Sequence, residues 1–181
     1  MPTVPRRVVT GHDSAGKSVF VQDGPPPVVR TAPDGAYFFE LWNTAAMPAP
    51  IAPSEPEPTE RDPTVPPGPH GTKIRINEFP PGVVSPTHRT QTVDYGVVLD
   101  GEVVLVLDDS AERVLRRGDV VVQRGTDHRW ENRTADVARM AFILVDAVFT
   151  AELAALLGPE AVSGLLHDPM RPHTRDGAGH E

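Results

Sequence analysis

The sequence has no cysteine, so disulfides, thiolate metal centres and cysteine nucleophiles are all outside its chemistry. Aromatic residues are sparse at 6%, and basic residues are outnumbered: 17 Lys and Arg stand against 25 Asp and Glu, a formal net charge of −8. That balance argues against binding nucleic acid or an anionic membrane through bulk charge. Long apolar runs are missing too. The longest strongly apolar stretch, Met140-Ala-Phe-Ile-Leu-Val145, falls far short of the roughly 20 residues a membrane-spanning helix needs. The opening residues, Met1-Pro-Thr-Val-Pro-Arg-Arg7, lack the apolar centre of a secretory signal. Together these absences predict a soluble, cytoplasmic protein with no nucleic-acid or membrane partner. At 181 residues the chain suits one domain with a good core, burying roughly 70% of its unfolded surface.

What the chain does have is β-branched sequence cut by turn signals. Thr72-Lys-Ile-Arg-Ile-Asn-Glu-Phe79, Glu102-Val-Val-Leu-Val-Leu107 and Val137-Ala-Arg-Met-Ala-Phe-Ile-Leu-Val145 read as strands, with Asp100-Gly101, Asp108-Asp109 and Arg117-Gly118 turning between neighbours. Short strands at this spacing predict a sandwich or barrel. Two glycine-bounded blocks, at 82–101 and 118–132, each carry a histidine: His88 and His128. Residues an even number apart on a strand share a face, so an unbroken strand would put His88, Thr90 and Asp94 together, with Val93, Tyr95 and Val97 opposite. Trp130 shares parity with His128 and is a candidate lining residue. On the strand from Thr72, Arg75 and Asn77 lie on one side and Ile74 and Ile76 on the other. Parity does not say which side faces inward; an inward Arg75 could hold a carboxylate or enolate by a forked contact.

The two blocks resemble the paired motifs of the cupin superfamily. His88 corresponds to the first histidine of the first motif, Thr90 stands where a second histidine is usual, Asp94 takes the place of the acid and Gly101 that of the glycine. Gly118, Gly125, His128 and Asn132 match the second motif, with Gln123 at its proline position. The resemblance implies an all-β, cupin-type jelly-roll barrel, a homodimer and a divalent metal in the pocket. Thr90 is the departure that matters, because a neutral hydroxyl is a far poorer ligand than an imidazole. His88, Asp94 and His128 remain, the donor set of the two-histidine, one-carboxylate arrangement, which suits Fe, Zn, Ni or Mn. Aspartate is one methylene shorter than glutamate, which puts the reach of Asp94 in question.

The function expected from this set is a metal-dependent enzyme acting on a small organic molecule, first of all a dioxygenase-type oxidoreductase. His88, Asp94 and His128 would be its catalytic groups, and Arg75, Thr90 and Trp130 would touch substrate. The same residues, holding a metal as Lewis acid only or without metal as an acid–base cluster, would suit an isomerase, decarboxylase or cyclase. A non-catalytic small-molecule binder is the third possibility.

The flanks read as attachments: strand extension and proline-rich arm over 1–71, barrel core over 72–147, short helices and a loose tail over 148–181. Gly11, Gly16, Lys17 and Ser18 match a phosphate-loop pattern, yet no helix can follow through Val-Phe-Val-Gln-Asp-Gly-Pro-Pro-Pro27, so a β-hairpin is expected. The proline-dense stretch at 46–71 predicts an extended, solvated surface connection. Thr150 is expected to cap a helix that stops at Gly158-Pro159, with a second short helix starting there.

Overall fold

Alternation of side chains along β-branched stretches builds the sheets of this fold. In the computed structural model, which describes residues 2–60 and 64–166, β1 (Arg7–His12) and β2 (Ser18–Gly24) form a separate two-stranded hairpin. A six-stranded sheet is made of β3 (Val28–Thr31), β4 (Tyr37–Thr44), β5 (Thr72–Phe79), β6 (Thr92–Asp100), β9 (Val120–Arg124) and β11 (Ala138–Asp146), in the order β3-β4-β5-β11-β6-β9. A three-stranded sheet is made of β7 (Glu102–Val106), β8 (Glu112–Arg116) and β10 (Arg129–Glu131), in the order β10-β7-β8. Every pairing is antiparallel. Isolated bridges from Val84 to Glu131 and from His88 to His128 lay residues 84–88 along the free edge of β10. The expected tail from His167, with His173 and His180, lies outside the described residues, as does Pro63.

The two sheets close on one apolar core. Val103, Leu105 and Trp130 of the smaller sheet pack with Phe79, Met140 and Phe142 of the larger, each such burial being worth roughly 1.5–3 kcal/mol. This is the jelly-roll barrel expected of an all-β cupin, and β3 and β4 continue its larger sheet. At Gly101 (φ 72) a side chain would meet the backbone of Val137 and Ala138 at 2.9 Å, so the tight turn between β6 and β7 needs glycine twice over. The phosphate-loop pattern is a hairpin turn: β2 begins at Ser18, and the Asp13 carboxylate accepts the backbone N–H groups of Ala15 and Lys17. The Thr150 hydroxyl caps α1 (Ala151–Ser163) by accepting Leu153 N–H, and the backbone leaves helical geometry at Gly158 (φ 80, ψ 166), where the sequence predicts the break. No helix among the described residues is long and apolar enough to cross a membrane.

The proline-dense stretch is exposed over residues 47–56, as expected of a solvated surface connection, and departs from that expectation further on. Pro58, Thr59 and Pro67 are buried, and the carbonyls of Thr64 and Val65 accept hydrogen bonds from Lys73 Nζ (2.6 Å) and Arg75 Nη1 (3.2 Å), two cations that point inward from β5. Upstream, the Arg7 guanidinium grips Glu57 through Nη1 (3.0 Å) and Nη2 (2.7 Å). That fork holds the Glu57 carboxyl at about 2, well below its ordinary 4.5. Prolines lend their carbonyls but no N–H, so an arm rich in them can satisfy buried donors without bringing donors of its own. Around Pro58–Thr59 and Thr64–Pro67 the arm is a wall of the structure.

Candidate functional site

The antiparallel bridge between residues 88 and 128 brings the two motif histidines together. Their backbones exchange both hydrogen bonds, at 2.9 and 3.0 Å, and their rings lie 4.3 Å apart between centroids at 54°. Each ring is fixed in the same way. His88 Nδ1 is 2.9 Å from the carbonyl of Pro86, and His128 Nδ1 is 3.0 Å from the carbonyl of Thr126, two residues upstream in both cases. A carbonyl only accepts, so each Nδ1 carries the proton and each Nε2 keeps its lone pair. Burial pushes both imidazoles toward the neutral form, His128 down to about 3, with the neighbouring His88 adding to the effect. His128 is 4% exposed and meets Trp130 edge-on at 6.2 Å, which in turn meets Phe142 edge-on at 5.4 Å. Trp130 is therefore a core side chain that backs the His128 ring.

Asp94 belongs to a second group, on the inner face of the larger sheet. It is buried, its Oδ1 has no hydrogen-bond partner, and burial raises its carboxyl to about 6 against the lowering influence of the Thr92 hydroxyl and Arg75. Thr90 is turned to Thr92, hydroxyl to hydroxyl at 2.8 Å. Arg75 points inward with Lys73 and Asn77, and its guanidinium lies 4.5 Å over the Phe38 ring. Burial lowers its proton affinity, and the charges of Glu40 and Asp94 oppose that. Glu40 stands 3.7 Å from Arg30, so Arg30, Glu40, Arg75 and Asp94 alternate in sign through the interior.

The expectation that His88, Thr90 and Asp94 share one unbroken strand face is corrected here. His88 is bridged to the edge of the smaller sheet, whereas β6 starts only at Thr92 in the larger one; the chain changes sheets between them. Among the described residues, no three His, Cys, Asp or Glu side chains stand where they could hold a metal ion. The histidine half of the expected donor set fits a borderline divalent ion, with two Nε2 lone pairs free and both Nδ1 protons anchored in the manner of ligating histidines. The carboxylate does not join them, and the three-residue centre is not formed.

Arg30, Glu40, Asn77 and Gln123 complete the interior group and escape a motif-based reading. The signal for two of them is a charge set inside an apolar β run: Arg30 in Val-Val-Arg-Thr, and Glu40 in Tyr-Phe-Phe-Glu-Leu-Trp.

An all-β barrel with two convergent motif histidines defines the class of protein, and comparison with known proteins agrees. Residues 75–145 match the Cupin_2 family of cupin domains. The phomopsin biosynthesis cluster protein C′ of Diaporthe leptostromiformis is 40% identical over 174 residues, covering 93% of this chain and 91% of that protein. The cupin-domain-containing oxidoreductase fogC of Aspergillus ruber is 37% identical over 147 residues, covering 77% and 71%. Among solved structures, a cupin 2 conserved barrel domain protein from Salinispora arenicola is similar at 27% identity and a TM-score of 0.39, over 47% of this chain and 71% of that one. The chain belongs to the cupin superfamily.

Proposed function

We propose that this protein is an enzyme of small-molecule biosynthesis that takes an organic substrate into the barrel and acts on it with the His88–His128 pair. The observation that carries this reading is the pair of neutral imidazoles, His128 buried and His88 half-buried, each with Nδ1 committed to a carbonyl and Nε2 left bare. Burying the unpaired acceptor of His128 costs free energy that an apolar side chain would not incur, so the fold alone gives no reason for it. Of the two bare Nε2 atoms, that of the half-buried His88 is the one placed to take a proton from a carbon or oxygen acid, because burial holds His128 near 3, where it accepts a hydrogen bond but is a weak base. Enolisation next to a carbonyl is the step this supports, and it is shared by isomerases, cyclases and oxidations alpha to a carbonyl. The name oxidoreductase carried by the Aspergillus ruber relative supports the last of these, for which dioxygen would be the electron acceptor.

A metal-dependent, dioxygenase-type reaction is the second reading, favoured by the pairing of two uncommitted Nε2 atoms. Fe, Zn, Ni or Mn held by His88 and His128 would supply Lewis-acid or one-electron chemistry. Elemental analysis of protein purified without chelating resin, together with turnover of candidate diketones, separates the two. The acid–base reading expects turnover that survives EDTA and falls at least about a hundredfold in His88→Ala. The metal reading expects a near-stoichiometric ion, lost together with oxygen uptake in the same variant. Turnover unchanged in both His88→Ala and His128→Ala would reject both and put the chemistry on other residues; saturable binding without any turnover in the wild type would leave a binding protein.

A homodimer accompanies this reading. The outer face of the larger sheet carries Tyr95 (44% exposed) paired in register with Val122 (53%), next to Val120 (60%), an apolar patch at the β9 edge. Val122→Lys is expected to convert a dimeric mass in light scattering into a monomeric one; a wild-type mass of one chain would refute the dimer.

A further inference from the structure

His128 is 4% exposed and His88 is half-buried, so a molecule in solution meets the pair only after a neighbouring element moves aside. Two of the neighbours are fixed. Residues 82–88 are tied along β10 by backbone bonds from Gly82 to Asn132, from Ser85 to Trp130 and both ways between His88 and His128. The turn between β3 and β4, whose Asp34 charge is felt at His88, is rooted in the core by the buried Ala32 and Ala36.

The C-terminal segment, residues 147–166, is built differently. It leaves the end of β11 and meets both connections that carry the histidine-bearing chain from one sheet to the other. Just after His88, the Gln91 carbonyl accepts Ala147 N–H (3.1 Å) and the Arg89 carbonyl accepts Leu166 N–H (2.8 Å). Just before His128, the Phe149 ring lies so close to Gly125 that a side chain there would meet it at 2.5 Å, with the Thr90 carbonyl on the same side at 3.5 Å. Both ends of the segment are thus fastened to residues 89–91, and Phe149 joins that connection to the other. Between the fastenings little is packed. None of residues 151–162 is buried, and Leu156 is 79% exposed. The break at Gly158 divides α1 into two pieces, each too short to be a stable helix by itself. Elements with so little buried apolar surface open locally while the rest of a fold stays intact. Asp146 gives the segment a fixed root: its N–H donates to the Gly71 carbonyl (3.0 Å), and its carboxylate accepts His70 N–H (2.6 Å).

We propose that residues 147–166 are a gate over the histidine end of the barrel. Phe149 is its latch on Gly125, the bond from Leu166 to Arg89 is its second fastening, and Asp146 is the root about which it swings to admit a small molecule to His88 and His128. The purpose of the gate rests on the reading above that the pair acts on such a molecule; the motion does not, and it is measured without substrate.

Diethyl pyrocarbonate acylates an imidazole at an unprotonated nitrogen, here the bare Nε2, and peptide mass spectrometry reads each histidine separately in the full chain. The exposed His12 and His70 serve as internal standards. In the wild type, His128 is expected to react at least about tenfold more slowly than these two. Phe149→Ala should speed His128 about tenfold and leave His12 and His70 unchanged, because losing the contacts of one half-buried ring shifts the open population by about that factor. A second variant closes the gate instead of loosening it. Arg89→Cys with Leu166→Cys links the second fastening, and the chain has no cysteine of its own to compete. The oxidised protein should protect His128 at least about tenfold beyond the reduced form, with reduction restoring the rate. Wild-type His128 as reactive as His12, a His128 rate untouched in folded Phe149→Ala, or equal rates in the oxidised and reduced double variant would each overturn the gate. So would two cysteines that fail to join, since Leu166 would then not lie on Arg89. If Phe149→Ala does not fold, the oxidised and reduced forms decide alone. No substrate enters these rates, so a missing turnover counts against the proposed reaction and leaves the gate standing, whereas a failed gate leaves the chemistry of the pair as it was.

Discussion

Glu40→Ala is expected to lose about 3–5 kcal/mol of stability in urea unfolding at pH 7, the largest single loss in the chain. Glu40 is 1% exposed and makes no hydrogen bond through either carboxylate oxygen; what holds it is charge, with Arg30 Nε at 3.7 Å and Arg75 on its other side. Arg30 and Arg75 are each 5% exposed. Deleting the carboxylate leaves two desolvated guanidinium groups facing each other with no anion between them, and Arg75 is already pushed toward deprotonation by burial, with Glu40 the first influence resisting it. The cost lies in the stranded partners more than in the lost contact, so removing a partner as well should help. The double variant Arg30→Met, Glu40→Leu is expected to recover at least half of the loss. Urea midpoints showing the two changes to be simply additive would mean that the pair is not coupled and that Glu40 is held by something else.

That interior row also explains which parts of the structure could be read from sequence. Alternation and turn chemistry sufficed for the strands, for the hairpin at the phosphate-loop pattern, for the Thr150 cap and the break at Gly158, and for the outward side of Tyr95. They did not suffice for the direction of β5. Its Ile74 and Ile76 are half-buried on the outer face, while Lys73, Arg75 and Asn77 point in. Hydrophobic-inside reasoning inverts here because the barrel interior is a polar network at this end, and alternation defines two faces without saying which one the network occupies. The same limit applies between His88 and Thr92. Parity assumes one continuous strand, and nothing local in Arg89-Thr90-Gln91 announces that the chain is passing from one sheet to the other. The proline-dense arm misled for a different reason: its composition describes an extended chain correctly, but the donors that hold it, Arg7, Lys73 and Arg75, are distant in sequence.

Asn132 shows how a motif position can belong to the fold, and it yields the second large prediction. Its amide is fully used: Nδ2 donates to the carbonyls of Phe79 (2.8 Å) and Asp136 (2.7 Å), and Oδ1 accepts from Thr134 N–H (3.0 Å) and the Thr134 hydroxyl (2.8 Å). Its backbone joins in as well, Gly82 N–H donating to its carbonyl and its own N–H donating to Val83, both at 2.9 Å. The residue thus closes the turn after β10 and pins residues 82–83, the start of the segment that carries His88, against it. Asn132→Asp keeps the shape but turns two donors into a charged oxygen pressed against two carbonyls. With the site 1% exposed, the loss is expected to be at least about 3 kcal/mol at pH 7. The new carboxyl would titrate above its unfolded value, because burial and the facing carbonyls both disfavour the anion. A raised folded-state value means the penalty is relieved as pH falls through it, since protonation restores one donor. Urea unfolding of wild type and Asn132→Asp at pH 7 and again near pH 4.5 should therefore show the gap narrowing on acidification. A gap below about 1 kcal/mol at pH 7, or one that widens toward acid, would show that the amide does not bear the turn and that the His88–His128 bridge is held without it.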